Sequence, residues 1–131
     1  DFMAKEILVV EDEPGVAAAI RFLMEQQGYC VRVAEKGEDA LDLISTNKPH
    51  LVLLDIMLPG ISGWEVCEKI RTNPDCRDIK IVFLTARRDE AEVARGLALG
   101  ADAYITKPFK NDQLVASVKA LLQDALEVAG K

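Results

Sequence analysis

The chain has 131 residues, half of them hydrophobic and 29% charged, with a formal net charge of −6. That length and balance describe one globular domain with a sizeable core. The acidic excess argues against nucleic acid or an anionic membrane as a direct partner, and no apolar run approaches the ~20 residues of a membrane span.

Ile7 to Val10 is a continuous apolar run, the pattern of a strand buried on both faces. Pro14 suits the first turn of a helix whose stripe is Ile20, Leu23 and Met24, and Gly28 ends it. Tyr29, Val31 and Val33 alternate with Cys30, Arg32 and Ala34, which predicts a half-exposed edge strand. A second helix runs through Ala40, Leu41 and Ile44 and is closed by Asn47-Lys48-Pro49. Leu51 to Leu54 is a second buried strand, followed by the turn-rich Pro59-Gly60-Ile61-Ser62-Gly63. Ser62 with Glu65 is a capping-box pair for a helix through Val66 and Ile70. Ile79 to Leu84 is the third buried strand. Asp89 with Glu92 is a candidate capping pair for a fourth helix through Val93 and Leu97, and Gly100 ends it. Ala103 to Ile105 is a short last strand. The final helix starts near Asn111 and buries Leu114, Val118, Leu121 and Leu122. The order is (βα)5, an α/β doubly wound parallel sheet with helices on both faces. The absence of linkers, repeats and low-complexity segments assigns residues 3–129 to a single domain. Asp1-Phe2 ahead of Met3 reads as an expression remnant, and the early first strand leaves no room for a signal peptide.

Cys30, Cys67 and Cys76 form no C-x-x-C pair, so they are expected to be reduced thiols of a cytoplasmic protein rather than a disulfide framework. His50 is the only histidine, which excludes a two-histidine or histidine-rich metal site; directly before a strand, it is expected to be structural.

The strands end in polar residues: Glu11-Asp12, Asp55, Thr85, and Thr106-Lys107-Pro108. In an open parallel sheet the strand C-termini form one edge, and ligands bind in the crevice outside it. Three carboxylates, a hydroxyl and an ammonium are therefore expected on one rim. Magnesium takes oxygen ligands from one or two carboxylates, phosphate oxygens and water. Phosphoryl transfer needs mainly positioning and charge neutralisation. Asp55 can then act as the nucleophile that becomes an aspartyl phosphate, with Lys107 and Thr85 as donors to phosphoryl oxygens.

Val10-Glu11-Asp12-Glu13, Leu54-Asp55-Ile56-Met57-Leu58-Pro59-Gly60-Ile61-Ser62-Gly63, Leu84-Thr85-Ala86 and Gly100-Ala101-Asp102-Ala103-Tyr104-Ile105-Thr106-Lys107-Pro108-Phe109 together resemble the receiver domains of two-component response regulators. The resemblance spans roughly residues 5 to 125 and implies a flavodoxin-like fold with strand order 2-1-3-4-5. It implies that Asp55 accepts phosphate from a sensor histidine kinase or histidine phosphotransfer protein. It further implies Mg2+, with Mn2+ as a substitute, held by Asp12, Asp55, Glu11 through water, and the Met57 carbonyl. The Ala86 amide would join Thr85 and Lys107 in binding the phosphoryl group, and the Lys107–Pro108 bond would be cis. Tyr104 would be the switch aromatic, turning inward as Thr85 moves toward the phosphate and remodelling the face of helix 4, strand 5 and helix 5.

Met57 and Arg87, two residues after Asp55 and Thr85, stand where access of the hydrolytic water is shaped in the family. The wording is nearest to regulators with a winged-helix DNA-binding domain, yet Ala103, Gln113 and Ser117 occupy places where several charges of their dimer are expected. The chain is thus expected to be a monomer or a phosphorylation-dependent dimer. It would be a stand-alone receiver acting on a downstream protein, or one cut from a longer regulator or hybrid kinase with a separate output domain. Haloacid-dehalogenase-type phosphatases need a second acid where Met57 stands, so the chain is expected to be a regulatory acceptor and not an enzyme. A receiver that only docks partners would usually have lost an acid, the Thr or the Lys, all of which are present.

Overall fold

A computed structural model describes residues 4–124. Five parallel strands, β1 (Glu6–Val10), β2 (Cys30–Ala34), β3 (Leu51–Leu54), β4 (Lys80–Thr85) and β5 (Ala103–Thr106), form one sheet in the order β2-β1-β3-β4-β5. Five α-helices alternate with them: α1 (Pro14–Gln26), α2 (Gly37–Thr46), α3 (Gly63–Thr72), α4 (Glu90–Ala98) and α5 (Asn111–Leu122). The architecture is the expected flavodoxin-like α/β fold.

Strand side chains point alternately to the two faces, and this splits the core in two. Leu8, Val10, Val52, Leu54, Ile81 and Phe83 pack with Ala40 and Ile44 of α2 and Val66, Cys67 and Ile70 of α3. Ile7, Val9, Leu51, Leu53, Val82 and Leu84 pack on the other face with Ile20 and Met24 of α1 and Leu114, Val118 and Leu122 of α5. Burying each large aliphatic contributes about 1.5–3 kcal/mol, enough to set the register of the central strands. Both ends of that second layer are tied together: Lys5 Nζ donates to the Leu122 carbonyl (2.5 Å) and to Asp124 (2.8 Å), which also accepts from the Tyr29 hydroxyl (2.8 Å).

Most predicted signals act as expected. Pro14 opens α1, Gly28 follows it at φ +91°, and Ser62 Oγ accepts from the Glu65 amide at 3.3 Å. His50 is structural, its Nδ1 accepting from the Glu6 amide at 2.9 Å. Three details differ. The β2 alternation fails at its end, where Ala34 is buried and Val33 only half-buried, because β2 lies at the sheet edge under α2. Asp89 stands at the N-cap of α4, but its side chain makes no capping bond; Glu92 instead accepts from Arg87 at 3.1 Å. Leu97 is 49% exposed, and Gly96 is the one buried residue of α4. There the helix backbone approaches the sheet: a Cβ on Gly96 would lie 3.0 Å from the Tyr104 ring and 3.1 Å from that of Phe83. That close approach rotates Leu97 outward.

The stretch from α4 to β5 is held by Arg71. Its guanidinium donates to the carbonyls of Gly100 (2.8 Å) and Ile79 (2.7 Å) and to Asp102 Oδ2 (2.9 Å), which also accepts from the Ile81 amide (2.8 Å). Gly63 does the same for the end of β3. Its amide donates to the Ile56 carbonyl at 2.9 Å, and a Cβ there would meet the Asp55 carbonyl oxygen at 2.2 Å.

Two outcomes follow from this packing. Gly63→Ala should destabilise the fold by about 1–3 kcal/mol in urea denaturation, since backbone rather than a pliable side chain blocks the methyl. Gly15→Ala, in α1 with nothing within 4 Å, should be neutral or stabilising by up to ~1 kcal/mol. The thiols should separate equally sharply. Cys67 is fully buried and its thiol is pushed up to about 11 by that burial, which the nearby Arg71 offsets only in part; Cys76 is buried and Cys30 exposed. Alkylation of the native protein at mildly alkaline pH should therefore add one group, at Cys30, against three in denaturant.

Candidate functional site

The C-terminal ends of β1, β3, β4 and β5 meet at one edge of the sheet, and backbone pairing continues just past them. The Glu11 amide donates to the Ala34 carbonyl (3.0 Å), Asp55 to Val10 (3.1 Å) and Lys107 to Thr85 (2.8 Å). These bonds fix the polar residues relative to one another before any side chain is considered.

Glu11, Asp12 and Asp55 come together, with one carboxylate oxygen of each within 4.8 Å of the others. Glu11 is 2% exposed and Asp55 8% exposed, while Asp12 faces solvent. Lys107 bridges the buried pair: its Nζ donates to Glu11 Oε1 and, at 3.1 Å, to Asp55 Oδ2. The Asp55 Oδ1 atom accepts from the Met57 amide at 3.1 Å, and Glu11 Oε2 from the Glu13 amide at 3.2 Å. Each buried carboxylate thus has a donor, as desolvated charge requires.

The electrostatics remain tense. Burial pushes the Glu11 carboxyl up despite its hydrogen bonds from Lys107 and the Glu13 amide, with the nearby Asp55 charge adding to the rise. Burial also opposes the charge on Lys107, but the hydrogen bond to Glu11 and the charges of Asp55 and Glu11 outweigh it and hold its pKa above the ordinary lysine value. One ammonium faces three carboxylates, so the cluster carries an uncompensated negative charge. This donor set suits a hard divalent cation: oxygen ligands only, two of them fixed and buried, the third on the solvent side where water can complete the shell.

Thr85 is fully buried at the end of β4, its Oγ1 accepting from the Arg87 amide at 3.3 Å. Ala86 is exposed directly after it, and Met57 is 56% exposed beside Asp55. The Lys107–Pro108 peptide bond is cis. Tyr104 lies half-buried one strand over, its ring 5.9 Å from that of Phe83 and its hydroxyl donating to the Arg87 carbonyl at 2.7 Å. Burial raises the Tyr104 hydroxyl above its ordinary value, and the charge of Glu92 adds to this. Phe83 in turn meets Trp64 edge-on at 5.1 Å, with the Arg95 guanidinium 4.5 Å over the indole.

Three participants escape a motif reading. Gly63 is visible in sequence only as a turn former, whereas it is what lets α3 seat behind Asp55. Arg88 donates to the Lys107 carbonyl at 2.7 Å and so joins the β4–α4 loop to the β5 end. Glu92 looks like a capping acid, and only the fold reveals it as the partner of Arg87.

The response regulator receiver domain model matches residues 7–119. Solved structures agree with it over nearly the whole chain. A protein of Chloroflexus aurantiacus J-10-fl assigned as a response regulator is 36% identical, with a TM-score of 0.88, over 92% of this chain and 98% of that one. The signal receiver domain of a signal transduction histidine kinase from Syntrophus aciditrophicus is 34% identical, with a TM-score of 0.86, over 96% and 99%. The BeF3-activated N-terminal receiver domain of Klebsiella pneumoniae RstA is 34% identical, with a TM-score of 0.85, over 91% and 99%. Spanning the sheet and all five helices, the match makes this chain a member of the response regulator receiver domain family.

Proposed function

We propose that the chain, as a single domain over residues 3–129, is a phosphoryl-accepting signalling switch with Asp55 as its acceptor. The observation that carries this reading is the meeting of Asp55 with Glu11, Asp12 and Lys107 at one sheet edge. The BeF3-activated relative supports it, since beryllofluoride bound to a carboxylate has the shape and charge of a phosphoryl group.

The donor is a phosphohistidine of a sensor histidine kinase or phosphotransfer protein. An Asp55 oxygen attacks phosphorus, the new O–P bond replaces the N–P bond, and the released electron pair returns to the imidazole nitrogen, which takes up a proton. Asp12, Asp55, the Met57 carbonyl and, through water, Glu11 are the groups that would hold Mg2+, which would supply charge neutralisation for the phosphoryl oxygens. Lys107 is already within reach of Asp55 and donates to one phosphoryl oxygen. Thr85 and the Ala86 amide donate to others. With no substrate turned over beyond its own aspartyl phosphate, the chain acts as a regulator and not as an enzyme.

Readout runs through the β4–α4 loop. Thr85 Oγ1 accepts from the Arg87 amide and keeps its O–H to donate, so a move of Thr85 toward the phosphoryl group draws on the loop through that bond. Tyr104 holds the Arg87 carbonyl, so a shift of that loop reaches Tyr104 directly and through it the face made by α4, β5 and α5. A downstream protein or an output domain reads that face. Among the described residues no helix is long and apolar enough to cross a membrane, and the proposed site of action is the cytoplasm.

Incubation with Mg2+ and a small phosphodonor should add one phosphoryl group by intact-mass spectrometry, absent in Asp55→Asn and absent without the cation. No adduct in the wild type would overturn the reading; an adduct surviving in Asp55→Asn would move the acceptor elsewhere. The charge cluster makes a second outcome specific. Asp12→Asn removes one of the repelling carboxylates, so it should raise Tm in metal-free buffer by a few degrees and flatten the further rise that Mg2+ gives the wild type.

A further inference from the structure

The β4–α4 loop carries a second cation, Arg87, two residues after Thr85. Arg87 lines a cleft of about 390 Å3 together with Ile56, Met57, Leu58, Ser62 and Trp64, so its side chain shares the wall with the two residues that follow Asp55. Its backbone is pinned at the site by Thr85 Oγ1 on the amide and Tyr104 on the carbonyl. Three carboxylates with only Lys107 among them should draw a nearby guanidinium strongly. Yet Arg87 NH1 lies 3.1 Å from Glu92 Oε1, on the first turn of α4. The neighbouring Arg88 is engaged elsewhere, on the Lys107 carbonyl. The second Glu92 oxygen, Oε2, is buried and meets no donor among the described residues, so Arg87 is the hydrogen-bonding partner that those residues offer this carboxylate. Losing it would leave a half-buried charge uncompensated.

We propose that Glu92 is a positioning residue that holds the Arg87 guanidinium off the acidic cluster, keeping the cluster open to a divalent cation. The inference rests on reading Glu11, Asp12 and Asp55 as a Mg2+ site. Released from Glu92, Arg87 would fold back over Met57 toward the carboxylates and neutralise them with a tethered charge. Mg2+ would then have to displace it, and its apparent affinity would fall. Glu92 itself contacts neither the cluster nor the ion.

The test is titration of the intact chain with Mg2+ alone, followed by calorimetry and by the fluorescence of Trp64, which lines the same cleft and is the only tryptophan in the sequence. Glu92→Gln should weaken Mg2+ binding roughly two- to fivefold, the range an ion pair of this kind can command. Arg87→Ala added to Glu92→Gln should restore the wild-type affinity, because the competing guanidinium is gone. Urea denaturation of the same variants separates this from general loosening, which the second substitution would not repair. Unchanged affinity in Glu92→Gln, or a weakening that persists in the double variant, would overturn the role of Glu92 and leave the metal site standing. A wild type that binds no Mg2+ would overturn both.

Discussion

Two buried carboxylates at the ends of neighbouring strands cannot lie side by side without a cation, and Lys107 is the cation this chain supplies. Glu11 and Asp55 share its ammonium, so β1, β3 and β5 are joined at their tips by one charged group. Around it the surrounding structure is arranged to hold position: backbone bonds past the strand ends, Gly63 drawing α3 behind Asp55, and Arg88 gripping the Lys107 carbonyl. The compensation is incomplete, three negative charges against one positive, and the deficit suits the cluster to a further cation.

The same economy shows in α4. It buries one glycine, exposes Leu97, and is fastened mainly by side chains at its edges: Glu92 to Arg87 and Arg95 over Trp64. Helices held by a wide apolar stripe resist displacement, while one resting on a glycine and two polar contacts has a lower barrier to shifting. Flanking it on the rigid side, Arg71 and Asp102 fix the turn into β5. A helix so lightly held between fixed ends is the arrangement that the proposed two-state readout would use.

Much of this was legible in the residues. Ile7 to Val10 and Leu51 to Leu54 could only be strands buried on both faces, and their carboxylate endings then had to share an edge. Parallel topology converts a position in sequence into a position on the rim, so Glu11, Asp12, Asp55, Thr85 and Lys107 could be grouped without coordinates. The inward face of α4 was not legible, because helical periodicity says which residues share a face but not which face turns inward, and the close approach at Gly96 decided that. Asp89 and Glu92 carry the spacing of a capping pair, yet Arg87 outcompetes the backbone amide for the Glu92 carboxylate. Arg71, Arg88 and Gly63 act through backbone atoms of distant segments, and spacing along the chain holds no record of such contacts.

β5 contributes Lys107 from the edge of the sheet and is the strand with the fewest buried residues, Ile105 alone being buried. Edge strands open more readily than central ones. Each such opening withdraws the ammonium from Glu11 and Asp55 and leaves two desolvated charges facing each other. A cation seated in the cluster would offset that loss, so its occupancy and closure of the β5 edge would be thermodynamically linked. The strand that carries the lysine would in this sense be a gauge of the ion: its amide hydrogens would be protected in proportion to how well the acids at the far side of the rim are neutralised.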